Sequence, residues 1–260
     1  KGTETPFSGK YNNHFDAGVF ICRACKNPLY ESNSKFDSGC GWPSFDDEIL
    51  GSISRHKDFS GGRERTEICC NQCGGHLGHV FHGEKITEKD TRHCVNSLSI
   101  QFKKYNNLSK IYLGAGCFWT VDAIFSNTKG VYMSQTGYMG GNIVNPQHND
   151  VRLGKTNHLE VVEIYFDEEI IPLDCLLNIF WANFDSKNLN KRISDIVSQY
   201  TFAIFYNTDE QKEIILNSIN SIQKKWGQSI DTQIKKSGDF FRAEEKHQRY
   251  FMKNKINFRS

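Results

Sequence analysis

The segment KKYNNLSK at residues 103–110 divides the 260-residue sequence into two parts of different character. It is polar and rich in asparagine, and it stands between two apolar, strand-like runs at residues 97–102 and 111–113. Such composition is typical of a connection between domains. We therefore predict a first domain at residues 1–104, a linker at residues 105–110 and a second domain at residues 111–260.

The part before this segment predicts a mostly β fold. Glycines and short runs of alternating polarity dominate it, as at residues 18–22, 51–54 and 95–102, and long helical periodicity is scarce.

The part after the segment predicts an α+β fold. Strand-like runs at residues 161–166 and 202–205 alternate with helix-like runs at residues 172–184 and 208–226. In the first helix-like run, apolar residues recur at the spacing of one buried helix face. These residues are Leu173, Leu176, Leu177, Phe180 and Trp181.

Composition argues against a polyanionic or membrane partner. Lys plus Arg number 32 and Asp plus Glu number 30, a formal net charge of +2, so we expect no nucleic acid and no membrane as partner. No apolar run reaches the length of a membrane span, so we expect a soluble protein. We expect a cytoplasmic location. Because the sequence starts with Lys1, an upstream segment is expected to be missing, and a secreted or periplasmic location stays open.

Nine cysteines are present, seven before residue 110 and only Cys117 and Cys175 after it. An odd number in a chain of this length favours metal ligation and reactive thiols over a pure disulfide scaffold. The uneven distribution predicts different chemistry in the two domains.

Four of these cysteines form two CxxC pairs, Cys22 with Cys25 and Cys70 with Cys73. Two such pairs can offer four thiolates to a tetrahedral ion, and we predict one structural zinc. The gap between the pairs is longer than in a zinc ribbon, so a redox-active CxxC or two short disulfides is the alternative. Cys69 is interpreted as a spare thiol, because only Cys70 completes a CxxC.

Cys40 and Cys94 stand in segments unlike core strands. Cys94 follows Arg92 and His93, two cations that would lower the pKa of its thiol if they lie nearby. Cys40 is flanked by glycines and precedes Trp42, which indicates a turn holding an exposed aromatic wall. A buried, inert cysteine is the alternative for each.

The run IYLGAGCFWTVDAIF at residues 111–125 predicts a strand, a glycine turn and a helix with Cys117 near its first turn. Unpaired N–H groups at a helix start stabilise a thiolate. A cysteine buried under the helix is the alternative.

The first domain resembles the B-type methionine sulfoxide reductases over nearly its whole length. Besides the two CxxC pairs, the resemblance rests on GTETPFSGKY at residues 2–11, KFDSGCGWPSF at 35–45, RTE at 65–67, HLGHVF at 76–81 and RHCVNS at 92–97. It implies that Cys94 is the nucleophile, Cys40 the resolving thiol and Trp42 a wall of the methyl pocket. Substrate-binding roles are implied for His76, His79, Arg92 and Asn96. His93 replaces a usual tyrosine, and the loop at 82–91 also departs from the family pattern.

The second domain resembles the A-type methionine sulfoxide reductases, less completely. The resemblance rests on GCFW at residues 116–119, TGYMGG at 136–141, NP at 145–146, HLEVVEIYFD at 158–167 and AEEKHQRY at 243–250. It implies that Cys117 is the nucleophile and Glu160 the acid that protonates the sulfoxide oxygen. Phe118 and Trp119 would line the methyl pocket, and Tyr138, Asp195 and Tyr200 would bind the oxygen or a water. The segment RISDIVSQYTF at 192–202 lacks the usual glycines, and Asp122 replaces a glutamate.

These resemblances imply a fusion of two enzymes, since the two epimers of methionine sulfoxide need two reductases. The first domain would reduce the R epimer and the second the S epimer, free or in oxidised proteins. Each would pass through a cysteine sulfenic acid that thioredoxin or another thiol recycles. The implied folds are two antiparallel sheets with zinc, then a split βαβ-like sheet with helices. We expect no organic cofactor.

Two other functions stay open from the residues. One is a zinc-stapled binding module joined to an inactive thiol-fold domain, against which the near-neutral charge and the lack of a basic stripe count. The other is a thiol peroxidase or disulfide oxidoreductase. The resemblance to the A-type enzymes, many of which carry a resolving thiol in a C-terminal tail, also bears on how Cys117 is regenerated. Here the tail after His247 contains no cysteine, so we expect an external thiol rather than Cys175 to regenerate Cys117.

Overall fold

The computed structural model describes residues 2–184, 202–227 and 229–256 of the chain. It divides into two compact units, Lys1–Leu108 and Ser109–Ser260. The last two residues of the segment that we expected to be the linker begin a strand of the second unit. Within the described ranges, no helix combines the length and the apolar character needed to cross a bilayer.

The first unit is rich in β structure, as its sequence predicts. Its strands are β1 Gly18–Cys22, β2 Pro28–Glu31, β3 Lys35–Phe36, β4 Ser44–Phe45, β5 Ile53–Asp58, β6 Arg65–Cys70, β7 His76–His82, β8 Thr91–Val95 and β9 Ile100–Lys104. They form a three-stranded sheet in the order β2-β1-β9 and a six-stranded sheet in the order β3-β4-β8-β7-β6-β5. Every pairing is antiparallel.

The strand-like run at residues 95–102 is two strands rather than one. Strand β8 ends at Val95, a 3-10 turn covers Ser97–Ser99, and β9 then joins the other sheet. The carboxylate of Glu4 accepts hydrogen bonds from the N–H groups of Ser97 (2.6 Å) and Leu98 (3.2 Å). These bonds hold the turn because they satisfy N–H groups that have no sheet partner.

The second unit is α+β, also as predicted. Its strands are β10 Ser109–Ala115, β11 Val131–Met139, β12 Leu159–Phe166, β13 Phe202–Tyr206, β14 Thr232–Lys236 and β15 Phe241–Arg242. They form one sheet in the order β14-β13-β10-β12-β11-β15, in which only β13 and β14 pair in parallel. The described helices are α1 Phe118–Phe125, α2 His148–Arg152, α3 Leu173–Asn183, α4 Asp209–Trp226 and α5 Tyr250–Lys253.

Packing of α3 confirms the predicted apolar stripe. All five of its residues are at most 2% exposed, and they join the main core of the second unit. Cys175 lies off this stripe and is exposed. The 208–226 run is confirmed as α4, which starts one residue later because the hydroxyl of Thr208 caps it by accepting from Gln211 N–H.

Candidate active sites and a cysteine cluster

Strand ends and turns bring the four cysteines of the two CxxC pairs together in the first unit. The Sγ atoms of Cys22 and Cys73 lie 3.7 Å apart, and those of Cys25 and Cys70 lie 3.6 Å apart. All four sulfurs fall within 4.8 Å of one another. A tetrahedral ion with metal–sulfur bonds of about 2.3 Å requires sulfur separations of roughly 3.8 Å. The four thiols, which form no disulfide, therefore fit one such ion.

Cys40 and Cys94 also meet. Their Sγ atoms lie 3.9 Å apart, although 54 residues separate them in sequence. Cys94 is on β8, whereas Cys40 is in the turn before β4. On either side of Cys40, Gly39 (φ 68°) and Gly41 (φ 90°) adopt left-handed backbone conformations that favour glycine. The predicted glycine-shaped turn thus places Cys40 over the strand that carries Cys94.

Register across the six-stranded sheet places a row of polar side chains around Cys94. Ser44 on β4 lies opposite Cys94, His79 on β7 lies opposite it on the other side, and Glu67 on β6 lies opposite His79. Directly opposed residues share one face of a sheet. This face therefore carries a thiol, an imidazole and a carboxylate side by side.

Carboxylates position the two histidines of the HLGHVF motif. His76 Nδ1 lies 2.6 Å from Glu67 Oε1, and His79 Nε2 lies 2.7 Å from Asp58 Oδ2. Hydrogen bonds from Ser60 and His79 hold the pKa of Asp58 well below its usual range. The ionised carboxylate fixes the orientation of the His79 ring.

The hydrogen bond between the two thiols shifts their pKa values in opposite directions. The hydrogen bond with Cys94, together with hydrogen bonds to Ser38 and Ser44, lowers the pKa of Cys40 to about 4. The hydrogen bond with Cys40, together with burial, raises the pKa of Cys94. The guanidinium of Arg92 acts in the opposite direction on Cys94.

The expectation that His93 is a cation near Cys94 is wrong. His93 is fully buried on the opposite face of β8, opposite Phe45 and Val80. Burial lowers the pKa of His93 to about 4, so its ring is neutral at pH 7. Its Nδ1 lies 3.1 Å from Tyr30 Oη in the core.

The remaining predicted residues of this site lie around the same face. Arg92, two residues before Cys94 on β8, makes a bidentate pair with Glu84, with both N–O distances 2.7 Å. Trp42 is half-buried and donates from Nε1 to the carbonyl of Glu4. Asn96 is buried and donates to the carbonyl of Leu77, which ties β8 to β7.

In the second unit, Cys117 stands at the start of α1 as predicted. Strand β10 ends at Ala115, Gly116 turns the chain with φ 77°, and Cys117 is the N-cap residue. Glu160 on β12 is 3% exposed, and its carboxylate accepts a hydrogen bond of 3.2 Å from the N–H of Phe118. The same carboxylate lies 3.5 Å from His148 Nε2. An acid therefore stands at the helix start, one residue from the thiol.

Aromatic rings surround this helix start. Phe118 is fully buried, with ring centroids 5.8 Å from Tyr138 and 5.6 Å from His247. Trp119 stacks on Tyr250 of α5 with centroids 3.7 Å apart and an interplanar angle of 7°. Apolar and aromatic walls of this kind suit a small thioether group.

Tyr138 is placed at the site, while two other predicted residues are not described. Tyr138 is buried, and its hydroxyl donates to Glu244 Oε2 at 2.9 Å. Burial and this carboxylate raise the pKa of Tyr138, so the phenol keeps its proton. Asp195 and Tyr200 lie outside the described residues.

Four polar residues at these sites were not singled out from the sequence. Glu67 and Glu244 lie within the RTE and AEEKHQRY motifs, which were the available signals for them. Asp58 and His148 carry no such signal, because their roles depend on which strands and helices meet.

Two family models match the chain. The family described as peptide methionine sulfoxide reductase matches residues 109–260, and the SelR domain matches residues 1–104. Peptide methionine sulfoxide reductase MsrA of Methanococcus maripaludis is 44% identical over 147 residues, 56% of this chain and 94% of the relative. Peptide methionine sulfoxide reductase B5 of Arabidopsis thaliana is 53% identical over 112 residues, 43% of this chain and 79% of the relative.

A solved structure shares the fold. Mxr1 from Saccharomyces cerevisiae in reduced form aligns with a TM-score of 0.51 and 24% identity, covering 59% of this chain and 90% of that one.

These matches and the two cysteine sites define a thiol-dependent oxidoreductase of sulfoxides. The chain belongs to the peptide methionine sulfoxide reductase family, with a B-type domain at its N-terminal end and an A-type domain at its C-terminal end. It reduces methionine sulfoxide, the R epimer in the B-type domain and the S epimer in the A-type domain.

Proposed function

We propose that Cys94 and Cys117 are the two nucleophiles, each serving one epimer, within domains at residues 1–104 and 111–260 joined by the segment 105–110. The observation that carries this assignment is that a polar side chain able to interact with an oxygen lies next to each thiol. Cys94 lies opposite His79 in the sheet register, and Cys117 stands beside the N–H group that binds Glu160. Each thiol thus has a neighbouring group that can bind or protonate the sulfoxide oxygen, His79 for Cys94 and Glu160 for Cys117.

In the first unit, the Cys94 thiolate attacks the sulfoxide sulfur. As the sulfur–oxygen bond of the sulfoxide breaks, the oxygen passes to Cys94 and takes up one proton, so that methionine leaves and a cysteine sulfenic acid remains. His76, His79, Arg92 and Asn96 bind the oxygen and its water network, and Trp42 covers the methyl group. Support comes from their place around the face that carries Cys94.

The second unit performs the same step at Cys117. Glu160 donates the proton to the sulfoxide oxygen, and its burial at 3% exposure excludes competing water. Phe118 and Trp119 hold the methyl group. Tyr138, together with Asp195 and Tyr200 outside the described residues, binds the oxygen or a bound water.

Recycling differs between the units. The Cys40 thiol condenses with the Cys94 sulfenic acid, forming a disulfide and releasing water, and the 3.9 Å separation of the two sulfurs supports this pairing. A dithiol such as thioredoxin then reduces the disulfide by exchange. Cys117 is regenerated by an external thiol. Free methionine sulfoxide and oxidised proteins are the proposed substrates.

A single zinc ion held by Cys22, Cys25, Cys70 and Cys73 would stabilise the first unit. The sulfur separations of 3.6 and 3.7 Å support a closed tetrahedral site. Such an ion takes no part in the reaction, since all four positions are filled by protein. Its contribution is folding free energy. Metal analysis of the protein as purified, without chelator and before any Zn²⁺ is added, should find about one zinc per chain.

Paired variants test the assignment of the nucleophiles. In the full chain, Cys94→Ser should abolish reduction of the R epimer and keep that of the S epimer, and Cys117→Ser should do the reverse. Loss of both activities in either variant would contradict the division of labour. Hydrogen peroxide and a disulfide substrate serve as controls, because preference for either would favour a peroxidase or disulfide oxidoreductase.

A further inference from the structure

A second group of metal-binding side chains lies beside the first active site, apart from the four-cysteine cluster. It consists of Glu67, Cys69 and His76, whose donor atoms all fall within 4.8 Å of one another. We propose that these three residues form a metal site for Zn²⁺ or an ion of similar softness, and that its occupation inhibits the first unit.

Strand geometry separates this group from the four-cysteine cluster. Successive side chains of a strand point to opposite faces, so Cys69 and Cys70 of β6 diverge. Cys70 joins the core, whereas Cys69 shares a face with Glu67 two residues earlier and lies opposite His76 of β7. Cys69 therefore cannot replace Cys70 in the cluster unless the side chains of β6 exchange faces of the sheet.

The three donors are the ligand types that zinc prefers, a thiolate, an imidazole and a carboxylate. Three protein ligands leave the fourth tetrahedral position for water or another small ligand. Glu67 is 4% exposed and Cys69 is 6% exposed, while the side chain of His76 is 17% exposed. An ion would enter past His76. A tetrahedral ion needs roughly 3.3–3.6 Å between unlike donor atoms. Since all three donors lie within 4.8 Å of one another and His76 and Glu67 are 2.6 Å apart, side-chain shifts on the order of 1 Å would bring the three donors to these distances.

We expect inhibition because His76 would belong both to the metal site and to the substrate-binding site, and this rests on the proposed role of His76 in substrate binding. His76 Nδ1 already lies 2.6 Å from Glu67 Oε1, so an ion between them would be coordinated by both side chains and would replace their hydrogen bond. Glu67 also lies opposite His79, the neighbour of Cys94 in the sheet. The second unit contributes none of the three ligands, so reduction of the S epimer by the same chain is an internal control.

Metal counting tests the site itself. The full chain, Cys69→Ser and the matched thiol control Cys175→Ser are equilibrated with Zn²⁺, and bound ions are counted after dialysis. The native chain and Cys175→Ser should hold one ion per chain more than Cys69→Ser. With Co²⁺ as the probe, that extra ion should show thiolate-to-cobalt absorption. Equal metal content in all three proteins would overturn the proposal and leave the four-cysteine cluster unaffected.

Single-turnover assays without added thiol test the inhibition. Zn²⁺ should suppress release of methionine from the R epimer, a chelator should restore it, and Cys69→Ser should need at least about tenfold more Zn²⁺. Equal inhibition of Cys69→Ser would place the inhibitory ion on the Cys40–Cys94 pair instead. Binding of the extra ion with full R turnover would overturn both the inhibitory role and the placement of His76 in substrate binding.

Discussion

The side chains of His93 and Cys94, adjacent residues of strand β8, point to opposite faces of the sheet. His93 is fully buried, with its Nε2 3.1 Å from Glu48 Oε2, whereas the Cys94 sulfur lies 3.9 Å from that of Cys40. Adjacent residues therefore have different surroundings, since His93 lies in the core and Cys94 faces a second thiol. On the face of Cys94 the nearby positive charge belongs to Arg92, which opposes the larger rise that Cys40 and burial cause in the pKa of the thiol.

Buried, neutral His93 should make the first unit sensitive to acid. Its folded pKa of about 4 lies below the unfolded value of 6.5, so the unfolded chain takes up the proton first as the pH falls. Stability is therefore lost between pH 6.5 and pH 4, by roughly 3 kcal/mol at most. Urea unfolding at several pH values should show a smaller loss in His93→Gln. The exposed His82→Gln should behave like the native chain, and equal losses in all three would contradict the prediction.

Replacing Cys40 should separate chemistry from recycling. Cys40→Ser removes the thiol whose hydrogen bond is the largest cause of the raised pKa of Cys94, so a single turnover with the R epimer should persist at an equal or higher rate. Cycling supported by thioredoxin should stop, because the thiol that lies 3.9 Å from Cys94 and would form the disulfide is gone. Rapid-quench release of methionine and a steady-state assay measure the two steps. If single-turnover release also vanished, Cys40 would belong to the chemical step or to the fold.

Sequence predicted the parts of this molecule that local patterns determine. The CxxC pairs, the helix stripe beginning at Leu173 and the strand–turn–helix around Cys117 each follow from spacing within a short segment. The burial of His93 could not be predicted, because it depends on which face of β8 meets the core. Likewise, the pairing of His79 with Asp58 depends on two strands that are not adjacent in the sheet. Register between distant segments is a property of the folded sheet.

Cys117 should retain a sulfenic acid after one turnover without reductant. Cys175 is the other described cysteine of the second unit, and it lies exposed on α3, a packed helix rather than a mobile loop. A disulfide needs Cα atoms within about 7 Å, a condition that a rigid helix meets only by chance. With Cys94→Ser silencing the first unit, mass spectrometry should find a dimedone adduct on Cys117. A stoichiometric disulfide between Cys117 and Cys175 would refute this and make the second unit self-resolving.

Glu160 should control the rate of S-epimer reduction more strongly than its neighbour His148. Glu160→Gln keeps the shape and the hydrogen bond from Phe118 N–H but removes the acid, so kcat should fall by roughly 100-fold or more. His148→Phe keeps a ring over Phe118 and should lower kcat less, because the proton transfer is assigned to Glu160 and His148 lies 3.5 Å from that carboxylate. Steady-state kinetics with the R epimer should be unchanged in both variants. A larger loss in His148→Phe would make the histidine the proton donor.

The stacking of Trp119 on Tyr250 has a consequence for how the protein is made. Trp119, early in the second unit, is held by a ring that follows it by 131 positions, and β15, an edge strand of the sheet, also comes late in the chain. The B-type unit, by contrast, is complete at Leu108. Because ribosomes release a chain from its N-terminal end and domains fold as they emerge, the R-epimer site forms on the nascent chain well before the S-epimer pocket can close.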